Sequence, residues 1–258
     1  MDRRFTVDGN ELKAYLARPA QIHPTAQAGL VIAHGFPAEA GGGINSTASF
    51  PELADRVATE AGWAALAYSS RGVAGSEGDF SLGGWRRDLM GAVDHLRESV
   101  PCDGVWIVGF GTGGALAIEV ASEDEGIHGV AAVAIPADFS DWAKNSRKLL
   151  IHARDMGIIR DKKFPESFDK WSADFSRIRA ADAAKRMAPR TLMLIHGSED
   201  EVVPVFDARA VADGHGDADL RLIVGGGHHL RHDPRAIAVL LGWLDRQRNT
   251  LLSPATDL

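Results

Sequence analysis

The sequence predicts an α/β protein with a mostly parallel central sheet flanked by helices on both faces. Three observations predict it. Short, continuous apolar runs of buried-strand type recur along the chain. Stretches with helical apolar spacing separate them, the alternation that produces parallel sheets. Glycines gather where apolar runs end, at Gly35, Gly72, Gly109, Gly197, Gly225, Gly226 and Gly227, where such sheets place their functional loops.

The elements follow in order. "FTVDGNELKAYLARP" alternates weakly around Asp8-Gly9-Asn10, a hairpin signal. "GLVIAHGF" is a buried strand. "FPELADRVATEAG" is a helix, with Pro51 suited to its start and Gly62 to its end. "WAALAYSS" is a strand and "RGVAGSEGDF" a loop. "SLGGWRRDLMGAVDHLRES" is a helix with Trp85, Leu89, Ala92, Val93 and Leu96 on one stripe. "GVWIVGF", "TGGALAIEVAS" and "GVAAVAIP" read strand, helix, strand. Residues 137–189 then break the rhythm: they contain no strand-like run and two amphipathic stretches, read as a helical cap insertion. "TLMLIHG" and "LRLIVGGG" resume the strands, and "DPRAIAVLLGWLDRQ" closes with a helix. The predicted core is therefore 1–136 with 190–258.

The chain's 258 residues can bury a sizeable core. A net charge of -7 disfavours nucleic-acid partners. One cysteine, Cys102, excludes an internal disulfide. The charged start "MDRRFTVDGN" lacks the apolar segment of a secretory signal, and no apolar run approaches a membrane span. A cytoplasmic location with no membrane partner is the expectation.

The chemistry concentrates at "VWIVGFGTGGALAIEVA", residues 105–121. This strand-turn-helix fits two devices. Gly109, Gly111 and Gly114 satisfy G-x-G-x-x-G, a dinucleotide fingerprint, with Asp138 as its late ribose-binding acid. Gly109 and Gly113 satisfy the frame of G-x-S-x-G, the nucleophile elbow, with Gly111 where the serine belongs. The fingerprint ordinarily opens the first βα unit of its domain, whereas about a hundred residues of strand-helix pattern precede this turn.

The elbow finds support at a distance. "AHGF" follows an early strand, "HGSEDEVVP" puts Asp200 after a later one, and "GGGHHL" puts His228 after the last. With "SSRGVAGSEG" at residues 69–78, these motifs make the sequence similar to the α/β-hydrolase family, nearest the small-esterase, dienelactone-hydrolase and acyl-peptidase-like branches. The resemblance covers nearly the whole chain. It implies the α/β-hydrolase fold, a catalytic acid at Asp200 and a histidine at His228. It also implies a nucleophile position at Gly111, and backbone oxyanion donors at Phe36 and Thr112, with His34 lining that loop as a ligand-binding residue. No cofactor and no metal are expected. Arg71 and Ser76 are expected to brace their loop.

The departure is central, because Gly111 has no side chain to attack with. Three readings follow. The chain is a pseudoenzyme, binding a small carbonyl or carboxylate ligand without turnover. Alternatively, His228 acts as general base on water or on the ligand itself, as an esterase-type hydrolase or a lyase. In the third, another residue attacks: Thr112, Ser46, Ser49, Ser69, Ser70 or Cys102, none in elbow geometry. A nicotinamide-dinucleotide oxidoreductase remains the rival from another class.

Plainer readings stand beside these. Asp200 also suits a surface loop acid capping the next helix, and His229 can exchange roles with His228. His228, His229, His232 and Asp233 are too loosely spaced for a metal motif. His196 reads as a structural strand-end residue. Of the insertion's Phe139, Trp142, Phe164, Phe168, Trp171 and Phe175, most are expected to pack internally. Residues 41–50 read as a polar loop at the mouth of the site.

Overall fold

The computed structural model describes residues 1–20, 27–37 and 49–252. Most of the loop at 41–50, with Ser46, and the tail from 253 lie outside the described residues. The chain opens with a hairpin of β1 (Asp2–Val7) and β2 (Asn10–Ala17). Its turn residues Asp8 and Gly9 have φ of 50° and 79°, as an Asp-Gly turn requires. The sheet continues with β3 (Ala28–Ala33), β4 (Ala64–Tyr68), β5 (Gly104–Phe110), β6 (Ile127–Val133), β7 (Thr191–Gly197) and β8 (Asp219–Ile223). These eight strands form one sheet in the order β1-β2-β4-β3-β5-β6-β7-β8. β2 pairs antiparallel with β1 and β4, and every other pairing is parallel. The central strands β3, β4 and β5 are buried along their whole length. That is why they read as continuous apolar runs rather than alternating ones.

Successive strand residues feed two cores. Val31, Leu66 and Ile107 face one, and Leu30, Ala65 and Val108 face the other. α1 (Phe50–Arg56) continues through a π-helical turn at Val57–Ala61 and stops at Gly62, where φ is 72°. α2 (Leu82–Ser99) starts at Ser81, whose hydroxyl accepts the Gly84 N–H, and buries the predicted stripe of Trp85, Leu89, Ala92, Val93 and Leu96. Each of its larger side chains contributes about 1.5–3 kcal/mol by leaving water. α3 (Thr112–Glu123) links β5 to β6.

Between β6 and β7 lie four helices where the sequence shows two amphipathic stretches: α4 (Ser140–Lys144), α5 (Ser146–Asp155), α6 (Phe168–Arg177) and α7 (Ala180–Met187). Asn145 interrupts the first stretch with φ -113°. Ile178 and Arg179 are extended and interrupt the second, and Arg179 forms a β-bridge with Asp138. α7 packs on α3 and on α8 (Val205–His215), so the end of this segment belongs to the flank of the sheet. α9 (Pro234–Leu252) covers the second core through Ile237, Leu240, Trp243 and Leu244. Among the described residues no helix is long and apolar enough to cross a membrane.

Candidate functional site

The turn after β5 is built by close packing. Gly111 donates its N–H to the Val133 carbonyl (2.8 Å), tying the turn to the end of β6. A Cβ at Gly113 would lie 2.3 Å from the His34 carbonyl oxygen, so this glycine lets α3 press against the end of β3. Gly111 has φ 50° and ψ -122°, a conformation L side chains rarely adopt. Yet a Cβ there would meet nothing nearer than Gly35 Cα at 3.8 Å and the Ala134 carbonyl oxygen at 3.9 Å. Backbone strain opposes a side chain at this position; space does not. Thr112, the first residue of α3, has an N–H with no partner inside the helix, and the helix dipole adds positive potential there.

β7 and β8 bring Asp200 and His228 together from 28 residues apart. Asp200 Oδ1 accepts the N–H groups of Val202 (2.9 Å) and Val203 (2.8 Å). Its Oδ2 accepts Nδ1–H of His228 at 2.9 Å, which leaves the histidine's Nε2 as the proton acceptor. The Asp200 side chain is fully buried, while 18% of the His228 side chain is exposed. Burial alone would raise the Asp200 pKa. The bonds from His228 and from the two amides outweigh it and hold the carboxyl below its ordinary value. His196 bears out the structural reading: it is fully buried, and its Nε2–H donates to the Val203 carbonyl at 2.9 Å. His229 lies beside His228 with ring centroids 5.7 Å apart, and burial lowers its pKa. The geometry gives the carboxylate to His228, not to His229.

One expected ligand contact is corrected. His34 does not line the cavity: its Nδ1–H donates to the Gly35 carbonyl (2.8 Å) and its Nε2 accepts the Ser70 N–H (3.0 Å). Burial pushes its pKa down to about 4. Both ring nitrogens are spent inside the protein, so His34 ties the loop after β3 to the loop after β4. That second loop is braced as expected. Arg71 pairs with fully buried Asp88 (2.6 Å), and Ser76 donates to the Ser69 carbonyl (2.7 Å). Phe36 is clamped between the core and the helices above it. Its ring lies 5.2 Å from Phe80, 5.3 Å from Trp142 and 5.7 Å from the stacked ring of His152.

Gly35, Phe36, Gly111, Thr112 and His228 all line one cavity of about 530 Å³ at the carboxyl end of the sheet. Phe110, Phe139, Trp142 and Leu149 give it an apolar wall. Of the six aromatic residues singled out in the insertion, only Phe139 and Trp142 reach it. Trp171 and Phe175 pack with Phe80 and Trp142, and the Trp171 indole N–H bonds the Phe80 carbonyl. Asp138, weighed as a ribose ligand, lines the same cavity and accepts the Ser140 N–H.

Sequence reading missed Arg231, Asp207 and His152, which also line the cavity. Arg231 is 8% exposed, stacks over Phe50 (4.7 Å) and donates to the Ser49 carbonyl. In "HHLRHD" it looks like an ordinary surface charge, and only the chain reversal before α9 turns it inward. Among the described lining residues the hydroxyl side chains are Thr112 and Ser140. Ser69 and Ser70 are buried outside the lining. Cys102 packs near Gly29 at the opposite end of the sheet, with its thiol pushed up to about 11 by burial. No group of three or more metal-ligating side chains is placed to hold an ion among the described residues.

Comparison with known proteins agrees with this architecture. A family model described as "Alpha/beta hydrolase family" matches residues 30–240. Est1E from Butyrivibrio proteoclasticus, solved with ferulic acid bound, is 20% identical, with 98% of this chain and all of that one covered and a TM-score of 0.73. The alpha/beta hydrolase GrgF from Penicillium sp. sh18 is 19% identical over 96% of this chain and 99% of that one, with a TM-score of 0.70. Alpha/beta hydrolase domain-containing protein 10 from mouse is 18% identical over 97% and 99%, with a TM-score of 0.68. These likenesses are of fold. No curated protein sequence matches significantly.

Proposed function

The chain belongs to the alpha/beta hydrolase family, and from that premise we propose that it binds a small carbonyl or carboxylate compound without forming a covalent intermediate. One observation carries the reading: Gly111 stands at the apex of the elbow and lines the same cavity as His228, with no side chain to attack. The N–H groups of Thr112 and Phe36 are the oxyanion donors. They belong to the backbone, so a glycine at the apex leaves them in place. The apolar wall of Phe110, Phe139 and Trp142 suits an aromatic or aliphatic substituent. The ferulic acid bound by Est1E, an aromatic carboxylic acid, is of this chemical class.

The intact Asp200–His228 pair favours a second reading, in which the site turns its ligand over slowly. Asp200 fixes the Nδ1–H tautomer and stabilises the imidazolium, and Nε2 takes a proton from water or from the ligand. A site lacking its serine but keeping its oxyanion donors retains about 10³–10⁴-fold catalysis over water. The dinucleotide reading loses its footing, because the glycine turn follows the fifth strand of a hydrolase sheet rather than the first βα unit.

The test pairs binding with turnover. Phenylacetate and phenylacetamide should shift amide resonances of Phe36 and Thr112 in an NMR titration. Rapid mixing with 4-nitrophenyl acetate should give no stoichiometric burst. Slow steady turnover that disappears in His228→Ala would establish the second reading. A full burst in the wild type would overturn the proposal, because it requires a nucleophile elsewhere.

A further inference from the structure

Two residues with left-handed backbone face each other across the open space at the elbow apex. Gly111 has φ 50°, and Ala134, just past the end of β6, has φ 52°. In an alanine that conformation is strained, and strain of this kind persists where the fold holds it in place. Here it is held: the Ala134 N–H donates to the Ile195 carbonyl (2.9 Å), and the neighbouring Val133 carbonyl accepts from Gly111. The result sets the Ala134 carbonyl oxygen 3.9 Å from where a Gly111 Cβ would stand. Gly35 Cα closes another side at 3.8 Å. Ala134 is 3% exposed, yet it lines the same cavity as His228. The apex is thus a small pocket with a fixed backbone acceptor and a histidine base in the cavity it opens to.

We infer that this pocket is a subsite for a small external nucleophile, a one- or two-heavy-atom hydroxyl or amine. That nucleophile takes the place of a side-chain hydroxyl and accepts an acyl group directly. The inference rests on the second reading above and deepens it by naming the co-substrate class. The nucleophile loses a proton to His228 Nε2, and an amine keeps a second hydrogen that it donates as a hydrogen bond to the Ala134 carbonyl oxygen. Its heteroatom forms a bond to the ester carbonyl carbon, and the carbonyl oxygen becomes an oxyanion held by the Phe36 and Thr112 N–H groups. The carbon–oxygen bond to the leaving group then breaks, and His228 returns the proton to the departing alkoxide. The products are the acylated nucleophile and an alcohol. No acyl-enzyme forms, and no oxidant or reductant is needed.

The test follows 4-nitrophenyl acetate cleavage while hydroxylamine, methanol, ethanol or isopropanol is titrated in, with acetohydroxamate and acetate esters quantified as products. For the wild type, cleavage should rise with hydroxylamine and methanol and then saturate. The saturable part should shrink through ethanol to isopropanol as the nucleophile outgrows the pocket. In Gly111→Ala the added methyl occupies the pocket, and the saturable part should fall about 10²-fold, the effect of displacing a reacting group by an ångström. The alcohol series on the wild type tests size independently of whether that variant folds. His228-dependent hydrolysis with only a linear response to nucleophile would overturn this inference and leave the general-base reading standing. So would saturation indifferent to alcohol size. Rates equal to buffer in both wild type and His228→Gln, with and without nucleophile, would overturn both.

Discussion

Replacing Gly111 by serine tests how much of the machinery is present. The backbone sets the cost. At φ 50° and ψ -122° a side chain pays about 1–3 kcal/mol of strain. No clash adds to it, because the nearest atom to a new Cβ is 3.8 Å away. At about 2–4 °C per kcal/mol, the melting temperature should fall by roughly 2–12 °C. The gain is set by chemistry: removing the serine from an intact triad costs about 10⁶ in kcat. If the new hydroxyl sits about an ångström from its best position, roughly 10² of that is forfeited, leaving a gain of about 10⁴. Gly111→Ala carries the same backbone strain and no hydroxyl, so it is the control. The assay is rapid-mixing release of 4-nitrophenol from its acetate ester, alongside thermal unfolding. Gly111→Ser should show a burst approaching one equivalent. A folded Gly111→Ser no different from Gly111→Ala would refute the reasoning, because His228 would then not face the elbow apex.

Three further outcomes follow from the same geometry. Gly113→Ala sets a Cβ 2.3 Å from the His34 carbonyl oxygen. It should destabilise by more than about 3 kcal/mol, in the range of severe overpacking, so a denaturation midpoint within error of wild type would contradict the packing described. Asp88→Asn leaves the Arg71 guanidinium without its buried countercharge and should cost about 3–5 kcal/mol in urea unfolding; a loss under about 1 kcal/mol would show that Asp8 suffices. Burial depresses the His34 pKa from 6.5 to about 4, so between those values the unfolded chain takes up a proton that the native state refuses. His34 therefore costs no stability above pH 6.5. As pH falls from 6.5 to about 4 it removes about 1.4 kcal/mol per unit, roughly 3 kcal/mol in all. In His34→Gln that component of the slope should vanish; an unchanged slope would mean that His34 protonates in the folded protein.

Sequence and tertiary structure contributed differently. Local patterning was enough to find the strands, the stripe on α2 and the glycine turn, because buried parallel strands and a strand-turn-helix junction leave contiguous signals. Asp200 and His228 were legible through their place after strand ends, since the carboxyl edge of a parallel sheet gathers such loops from distant sequence. That the carboxylate bonds His228 and not His229 is a matter of one residue's direction, which no spacing encodes. Burial is likewise invisible locally. His34 turned out to be a brace because both ring nitrogens find partners across β3 and β4, and Arg231 became a cavity residue because the chain reverses before α9. The break at Asn145 escaped the helical pattern because Trp142, Leu149, Ala153 and Met156 keep helical spacing across it, whereas at Ile178 the buried face changes phase, from Trp171 and Phe175 to Ala180, Ala183, Ala184 and Met187. Most telling is the elbow apex. The sequence by itself determined that Gly111 lacks a nucleophile. Only the packing of β3, β5 and β6 decided that the space beside it is open, because that space is bounded by the backbone of Gly35 and Ala134, residues 76 and 23 positions away.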